Sequence, residues 1–167
     1  FNQDIPKEWF SALRPKLQQM GGDLVDVKML GPQFQMNWRN KLPHINHMTF
    51  ARYFIPDFVE EDKVLYLDSD LVVTDDLTPL FEMDLGDNYL AAAASCFGAG
   101  IGFNAGVLLI NNKKWRAEAV RQKLVELTDR EHQHVSEGDQ SILNMLFQDS
   151  YIPLDHCYNF QIGFDSG

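Results

Sequence analysis

The chain has 167 residues, with 14 Lys+Arg against 24 Asp+Glu and a formal net charge of −10. An apolar content of 45% excludes a disordered chain, which lacks the burial to offset ordering entropy, and the length suits a single domain over residues 1–167. The acidic balance excludes the basic footprint that nucleic acid or an anionic membrane surface requires, although an acidic small molecule can still bind where a metal cation stands between.

Pro6 to Gln19 sets Trp9, Phe10, Leu13 and Leu17 at helical spacing, with Asp4 and Pro6 at the start and Gly21-Gly22 at the stop. Leu24 to Leu30 reads as a short strand ended by Gly31-Pro32, and the aperiodic stretch from Gln33 to Leu42 as a loop. From His44 to Phe54 the spacing predicts a helix with Ile45, Met48 and Phe54 toward the core, closed by Pro56. Val64 to Leu67 is a continuous apolar run between charges, the pattern of a buried central strand in a mostly parallel sheet. Leu71 to Thr74 resumes that pattern, and Leu77 to Phe81 is a loop or helical turn. Leu90 to Ser95 and Phe103 to Asn111 are two further strands. Lys113 to Thr128 predicts a helix burying Trp115, Ala119, Val120, Leu124 and Leu127. Gly138 to Gln148 predicts another, burying Ile142, Leu143, Leu146 and Phe147. The alternation predicts the α/β class, with a mostly parallel central sheet flanked by helices.

Cys96 and Cys157 form no Cys-x-x-Cys pair and read as reduced thiols of a cytoplasmic protein. No apolar run approaches the roughly 20 residues of a membrane span, so no transmembrane segment is expected. His44/His47 and His132/His134 lack a third ligand nearby and read as surface or satisfied histidines rather than a zinc site. Trp115 reads as core packing, and Trp38 has no assigned role.

Asp68-Ser69-Asp70 follows the apolar strand directly. In extended chain, side chains two apart point the same way, so both carboxylates would converge at a strand's C-terminal end, where open α/β sheets hold ligands. Two like charges at close range need compensation, which a hard divalent cation supplies while leaving positions for phosphate oxygens. A solvated acidic turn is the competing reading. An EF-hand loop fails, because it would need Gly at Val73 and Glu at Pro79. Asp68-Ser-Asp70-Leu-Val72 also fits the Asp-x-Asp-x-Thr/Val pattern of haloacid-dehalogenase-type phosphatases, in which one aspartate is the nucleophile.

Five ordered segments carry a more specific resemblance: His47 to Phe54, Asp62 to Val73, Phe103 to Asn112, Lys114-Trp115 and Gly138 to Asn144. Together they resemble the retaining glycosyltransferases of family eight, bacterial galactosyl- and glucosyltransferases with glycogenin as a eukaryotic relative. The resemblance covers about residues 23 to 160. It implies a Rossmann-like A-type glycosyltransferase fold and transfer of a hexose, glucose or galactose, from a UDP-sugar to a glycan, lipid-linked or protein-linked acceptor. It implies Mn²⁺ (or Mg²⁺) held by Asp68 and Asp70, with Ser69 near the ribose. It also implies Arg52 reaching the donor sugar and phosphates, and Asn104, Ala105 and Gly106 contacting the donor sugar. Asp139 would hold a sugar hydroxyl and Gln140 would lie closest to the reacting carbon, the two being the catalytic pair.

On residue chemistry alone, Arg52 could be a surface ion pair, Asn104 a buried cap, and Gly138-Asp139 a helix N-cap. A neutral Gln beside the reacting carbon disfavours double displacement, and the resemblance implies front-side substitution, with the leaving phosphate helping to deprotonate the acceptor. The family's uridine-binding first strand would precede residue 1 and its metal-binding His would follow residue 167, and His156 does not sit in that context. The expectation is therefore a catalytic domain incomplete at both ends, weakly active or inactive alone. A non-catalytic nucleotide-sugar-binding domain remains open beside the transferase and the phosphatase.

Overall fold

The computed structural model describes residues 1–29, 47–95 and 102–162. Expectations for Trp38, His44, Ile45, Cys96 and the loop from Gln33 to Leu42 lie outside those residues. Helix α1 spans Lys7–Gln19 as its period predicts, but none of its residues is buried, and Trp9 is 62% exposed. The strand expected from Leu24 is reduced, among the described residues, to an isolated parallel bridge between Asn2 and Lys28. A 3-10 helix runs over His47–Phe54 and passes directly into α2, Ile55–Phe58. Pro56 therefore stands in the first turn of α2 and opens a helix, where its missing N–H is not needed, rather than closing one.

Strand β1 is Lys63–Leu67, followed by α3 at Thr78–Glu82, β2 at Leu90–Ala94 and β3 at Phe103–Asn111. Helices α4 (Asn112–Ala117), α5 (Val120–Glu131) and α6 (Asp139–Phe147) come next, then β4 at Tyr151–Leu154 and a 3-10 turn at His156–Asn159. The single helix expected from Lys113 to Thr128 is two, because Ala119 takes a left-handed conformation at φ 51° and breaks the run. Ala119 is exposed there rather than inward.

The sheet order is β1-β3-β2-β4. β1 and β2 both pair antiparallel with β3, and only β4 runs parallel to its neighbour β2. The α/β class stands, but the mostly parallel sheet is corrected to a mixed one, and β1 is an edge strand of the described sheet rather than a central one. The physical reason lies in burial. Leu90, Ala92, Leu108 and Ile110 face one apolar cluster with the helices, while Ala91, Ala93, Val107 and Leu109 face a second with Leu80, Leu85 and Leu154. A continuous apolar run reports burial on both faces, and that is common in parallel sheets without being confined to them.

Trp115 is fully buried, as expected, stacked on Phe147 at 5.5 Å with its indole N–H donating to Tyr89 O at 3.1 Å. Asn111 caps α4 by accepting the Lys114 N–H at 3.0 Å, which fixes the turn out of β3.

Candidate active site

The site forms where β1 ends beside an irregular stretch of β3. β2 advances only from Ala92 to Ala94 while its partner on β3 moves from Leu108 to Phe103, so residues 104–107 leave that ladder. Bulges of this kind re-aim side chains next to active sites. The Asp68 N–H donates to Gly106 O at 2.8 Å and holds the end of β1 against this stretch.

Asp68 Oδ1 accepts the Tyr66 hydroxyl at 2.6 Å and Arg52 Nη2 at 3.2 Å. Tyr66 lies two residues before Asp68 on the same strand face, and the Arg52 guanidinium sits over its ring at 4.4 Å. Arg52 is 5% exposed; its Nε donates to Thr49 O at 3.2 Å and lies 2.8 Å from Asp139 Oδ2, and its Nη1 donates to Ala105 O. Burial opposes the guanidinium's charge, but Asp139 and the neighbouring Tyr66 and Asp68 hold it above its ordinary value. Burial pushes the Asp139 carboxyl up to about 6 against the pull of Arg52. Tyr66 is raised by the same burial.

Asp139 is the first residue of α6 and Gly138, at φ 58°, is its cap, so the expected N-cap role passes to the glycine while the carboxylate turns to Arg52. Gln140 Oε1 accepts the Ala105 N–H at 2.9 Å, and its Nε2 donates to Glu137 Oε2 at 3.2 Å. Asn104 Oδ1 accepts the Gly106 N–H and Asn159 Nδ2, both at 2.8 Å, and its own Nδ2 donates to Gln161 Oε1 at 3.4 Å. A Cβ at Gly106 would lie 3.0 Å from Asn104 Oδ1 and 3.2 Å from Asp68 Oδ2, so glycine keeps that space open.

The structure thus joins Arg52, Asp68, Ala105, Asp139 and Gln140 in one network, with Asn104 and Gly106 beside it. Ser69 and Asp70 stand exposed on the turn after β1. Asp70 is therefore placed by a turn and not by strand alternation, because the chain leaves extended geometry at Ser69. Among the described residues, Asp68, Asp139 and Asp70 outnumber the guanidinium of Arg52 here, an imbalance that favours a cation. With Asp68 Oδ1 engaged by Arg52 and Tyr66, Oδ2 borders the space kept by Gly106, and the oxygen donors suit a hard divalent ion. Among the described residues no three His, Cys, Asp or Glu side chains group to hold a metal. His132 and His134 are engaged elsewhere, His132 with Thr128 O at 2.9 Å and His134 with Glu131 at 3.6 Å.

Four participants have no role assigned from the sequence: Tyr66 and Asn144, although both lie inside the resembling segments, and Glu137 and Asn159, which lie outside them. Tyr66 was findable from its i−2 spacing to Asp68 on a strand. Asn144 was findable from its i+4 spacing to Gln140 on a helix, whereas Asn159 comes from a turn remote in sequence.

Residues 4–167 match the sequence profile of Glycosyl transferase family 8. Glycosyltransferase GlyE of Streptococcus pneumoniae serotype 4 is 76% identical over 166 residues, which cover 99% of this chain and 41% of that protein. The chain spans about two fifths of that curated relative. The crystal structure of apo-form GlyE superposes with a TM-score of 0.87 at 69% identity, covering 98% of this chain and 39% of the other. The galactosyltransferase LgtC, solved in complex with donor and acceptor sugar analogs, superposes at 0.79 with 32% identity, covering 92% of this chain and 60% of the other. These neighbours share the A-type glycosyltransferase fold, and the phosphatase alternative finds no support among them. A mixed α/β sheet, the ordered motifs and a profile match along nearly the whole length converge on one conclusion: the chain belongs to glycosyl transferase family 8.

Proposed function

We propose that this chain supplies the donor site of a metal-dependent retaining glycosyltransferase, which moves glucose or galactose from a UDP-sugar to a glycan, lipid-linked or protein-linked acceptor. The observation that carries the reading is the charge arrangement at the end of β1. A buried Arg52 ties Asp68 and Asp139 to Ala105, with Asp70 on the adjoining turn. Asp68 and Asp70 would hold Mn²⁺ or Mg²⁺, whose charge, when bound, offsets that of the diphosphate and of the departing UDP.

The protein's own groups do the rest. Arg52, with its N–H groups turned to protein acceptors, fixes Asp68 and Asp139, while the rim of its guanidinium contributes positive charge toward the phosphates. Ser69 lies on the exposed turn where a ribose could meet it. Asn104, Ala105 and Gly106 line the donor sugar, the glycine admitting it close to the backbone. Asp139 accepts from a sugar hydroxyl.

Gln140 faces the reacting carbon, but its carbonyl oxygen already accepts the Ala105 N–H, which blunts it as a nucleophile. That favours front-side substitution. The bond from the sugar carbon to the leaving phosphate oxygen breaks as the acceptor oxygen bonds on the same face, and the acceptor's proton passes to that phosphate oxygen. We place the reaction in the cytoplasm, in line with the reading of the two cysteines as reduced thiols; Cys157 is free and exposed. No described helix is long and apolar enough to cross a membrane.

The test is transfer from UDP-glucose and UDP-galactose by the full-length protein with Mn²⁺. The Asp70→Asn variant should lose about a hundredfold or more in rate with its melting temperature unchanged. Unchanged Mn²⁺-dependent transfer would refute the metal site. Nucleotide binding without transfer or donor hydrolysis in the wild type would support a binding domain instead.

A further inference from the structure

Where β3 runs beyond the end of β1 and residues 104–107 leave the β2 ladder, backbone N–H groups need other acceptors. Three find side-chain carbonyl oxygens. Phe103 N–H donates to Asn144 Oδ1 at 2.7 Å, Ala105 N–H to Gln140 Oε1 at 2.9 Å, and Gly106 N–H to Asn104 Oδ1 at 2.8 Å. Gln140 and Asn144 lie four apart on α6, so they share a face and meet alternate residues of the strand. Asn144 goes further: its Nδ2 donates to Phe103 O at 2.8 Å and to Gln140 O at 2.9 Å. It pairs with both backbone groups of Phe103 as a neighbouring strand would, and ties that peptide to the helical turn carrying Gln140. Gly102 accommodates the clamp. Its φ is +91°, and a Cβ there would fall 2.2 Å from Asn144 Oδ1 and 2.9 Å from Asn144 Cγ, closer than packed atoms approach.

We propose that Asn144 is a positioning residue for the donor-sugar site: its amide clamp on Phe103 sets where Asn104-Ala105-Gly106 stands relative to Gln140, and Gly102 provides the space the clamp needs. The proposal rests on the reading of those residues as facing the donor sugar. Asn144 acts through Phe103 and Gln140, so removing it misplaces the sugar relative to the catalytic groups while leaving the diphosphate end of the site alone. Misplacement by about an ångström can cost as much as a hundredfold in rate.

The experiment uses the full-length protein. Asn144→Asp keeps an acceptor for the Phe103 N–H but loses both Nδ2 donations and sets a carboxylate oxygen against two carbonyls. Gly102→Ala disturbs the same clamp from the other side and guards against a variant that fails to fold. Hydrogen exchange of the amides of residues 103 and 105 should quicken at least tenfold in each. For UDP-glucose or UDP-galactose, kcat/KM should fall about tenfold or more, with the Kd for UDP plus Mn²⁺ unchanged. Quickened exchange with undiminished kcat/KM overturns the proposal, as does a parallel loss of UDP affinity, which a merely structural role would cause. Wild-type protein that turns over neither donor sinks the donor-site reading and the proposal together. An active wild type with equally active variants sinks the proposal alone.

Discussion

Arg52 shows how one buried charge organises several functional groups. A guanidinium removed from water is costly unless its donors and its charge are met; here Thr49, Ala105 and Asp68 accept from it, the Asp139 carboxylate stands 2.8 Å away as a second counter-charge, and Tyr66 covers its face. The sequence shows an Arg on a helix and, by resemblance, a donor contact; the three-dimensional fact that it anchors both carboxylates depends on contacts 16 and 87 residues distant. Asp139 gives the matching pH prediction. Its carboxyl titrates near 3.8 when solvated and about 6 when folded, so between those values the folded state holds a proton that the unfolded chain has lost. That contribution to stability is complete below about pH 4 and is lost as pH rises through 6, worth about 3 kcal/mol at full extent. Thermal melts in the absence of metal should therefore show wild type gaining on Asp139→Asn as pH falls from 7 to 4.5. A gap independent of pH would show that Asp139 is not held protonated by its burial.

Among the elements, β3 coincides end to end with its expectation from Phe103 to Asn111, because a long apolar run bounded by a glycine and by polar asparagines leaves little ambiguity. β4 went unread because Pro153 lies inside it, and proline is tolerated there on an edge strand of the described sheet. Strand direction is not legible in such runs, because an apolar run encodes burial while direction is set by connections. The α4–α5 break is invisible to periodicity, since alanine favours helix and nothing local announces the left-handed turn at Ala119. That turn carries a prediction of its own. An L-residue at φ 51° is strained where glycine is not, so Ala119→Gly should stabilise the chain by about 0.5–1 kcal/mol in urea melts. Destabilisation would mean that the break is not strained.

Across the whole molecule, a sheet buried on both faces supports one open end, where β1 stops, β3 bulges and α6 begins. The ordered motifs identified that end because each marks an element terminus: Asp68 after β1, Asn104 to Gly106 in the bulge, Asp139 and Gln140 at the start of α6. What the motifs do not show is how the pieces lock together: spacing alone brings Tyr66 to Asp68 and Asn144 to Gln140, but not Asn159 to Asn104, which depends on a turn 55 residues away. On the proposed function, this end of the molecule binds a nucleoside diphosphate through a divalent cation. Calorimetric titration of UDP into the full-length protein, with and without Mn²⁺ and beside an Asp68→Asn/Asp70→Asn control, tests it most directly. Binding should require Mn²⁺ and disappear in the control; binding of equal strength without metal, or in the control, would mean that no cation held by these aspartates bridges protein and nucleotide.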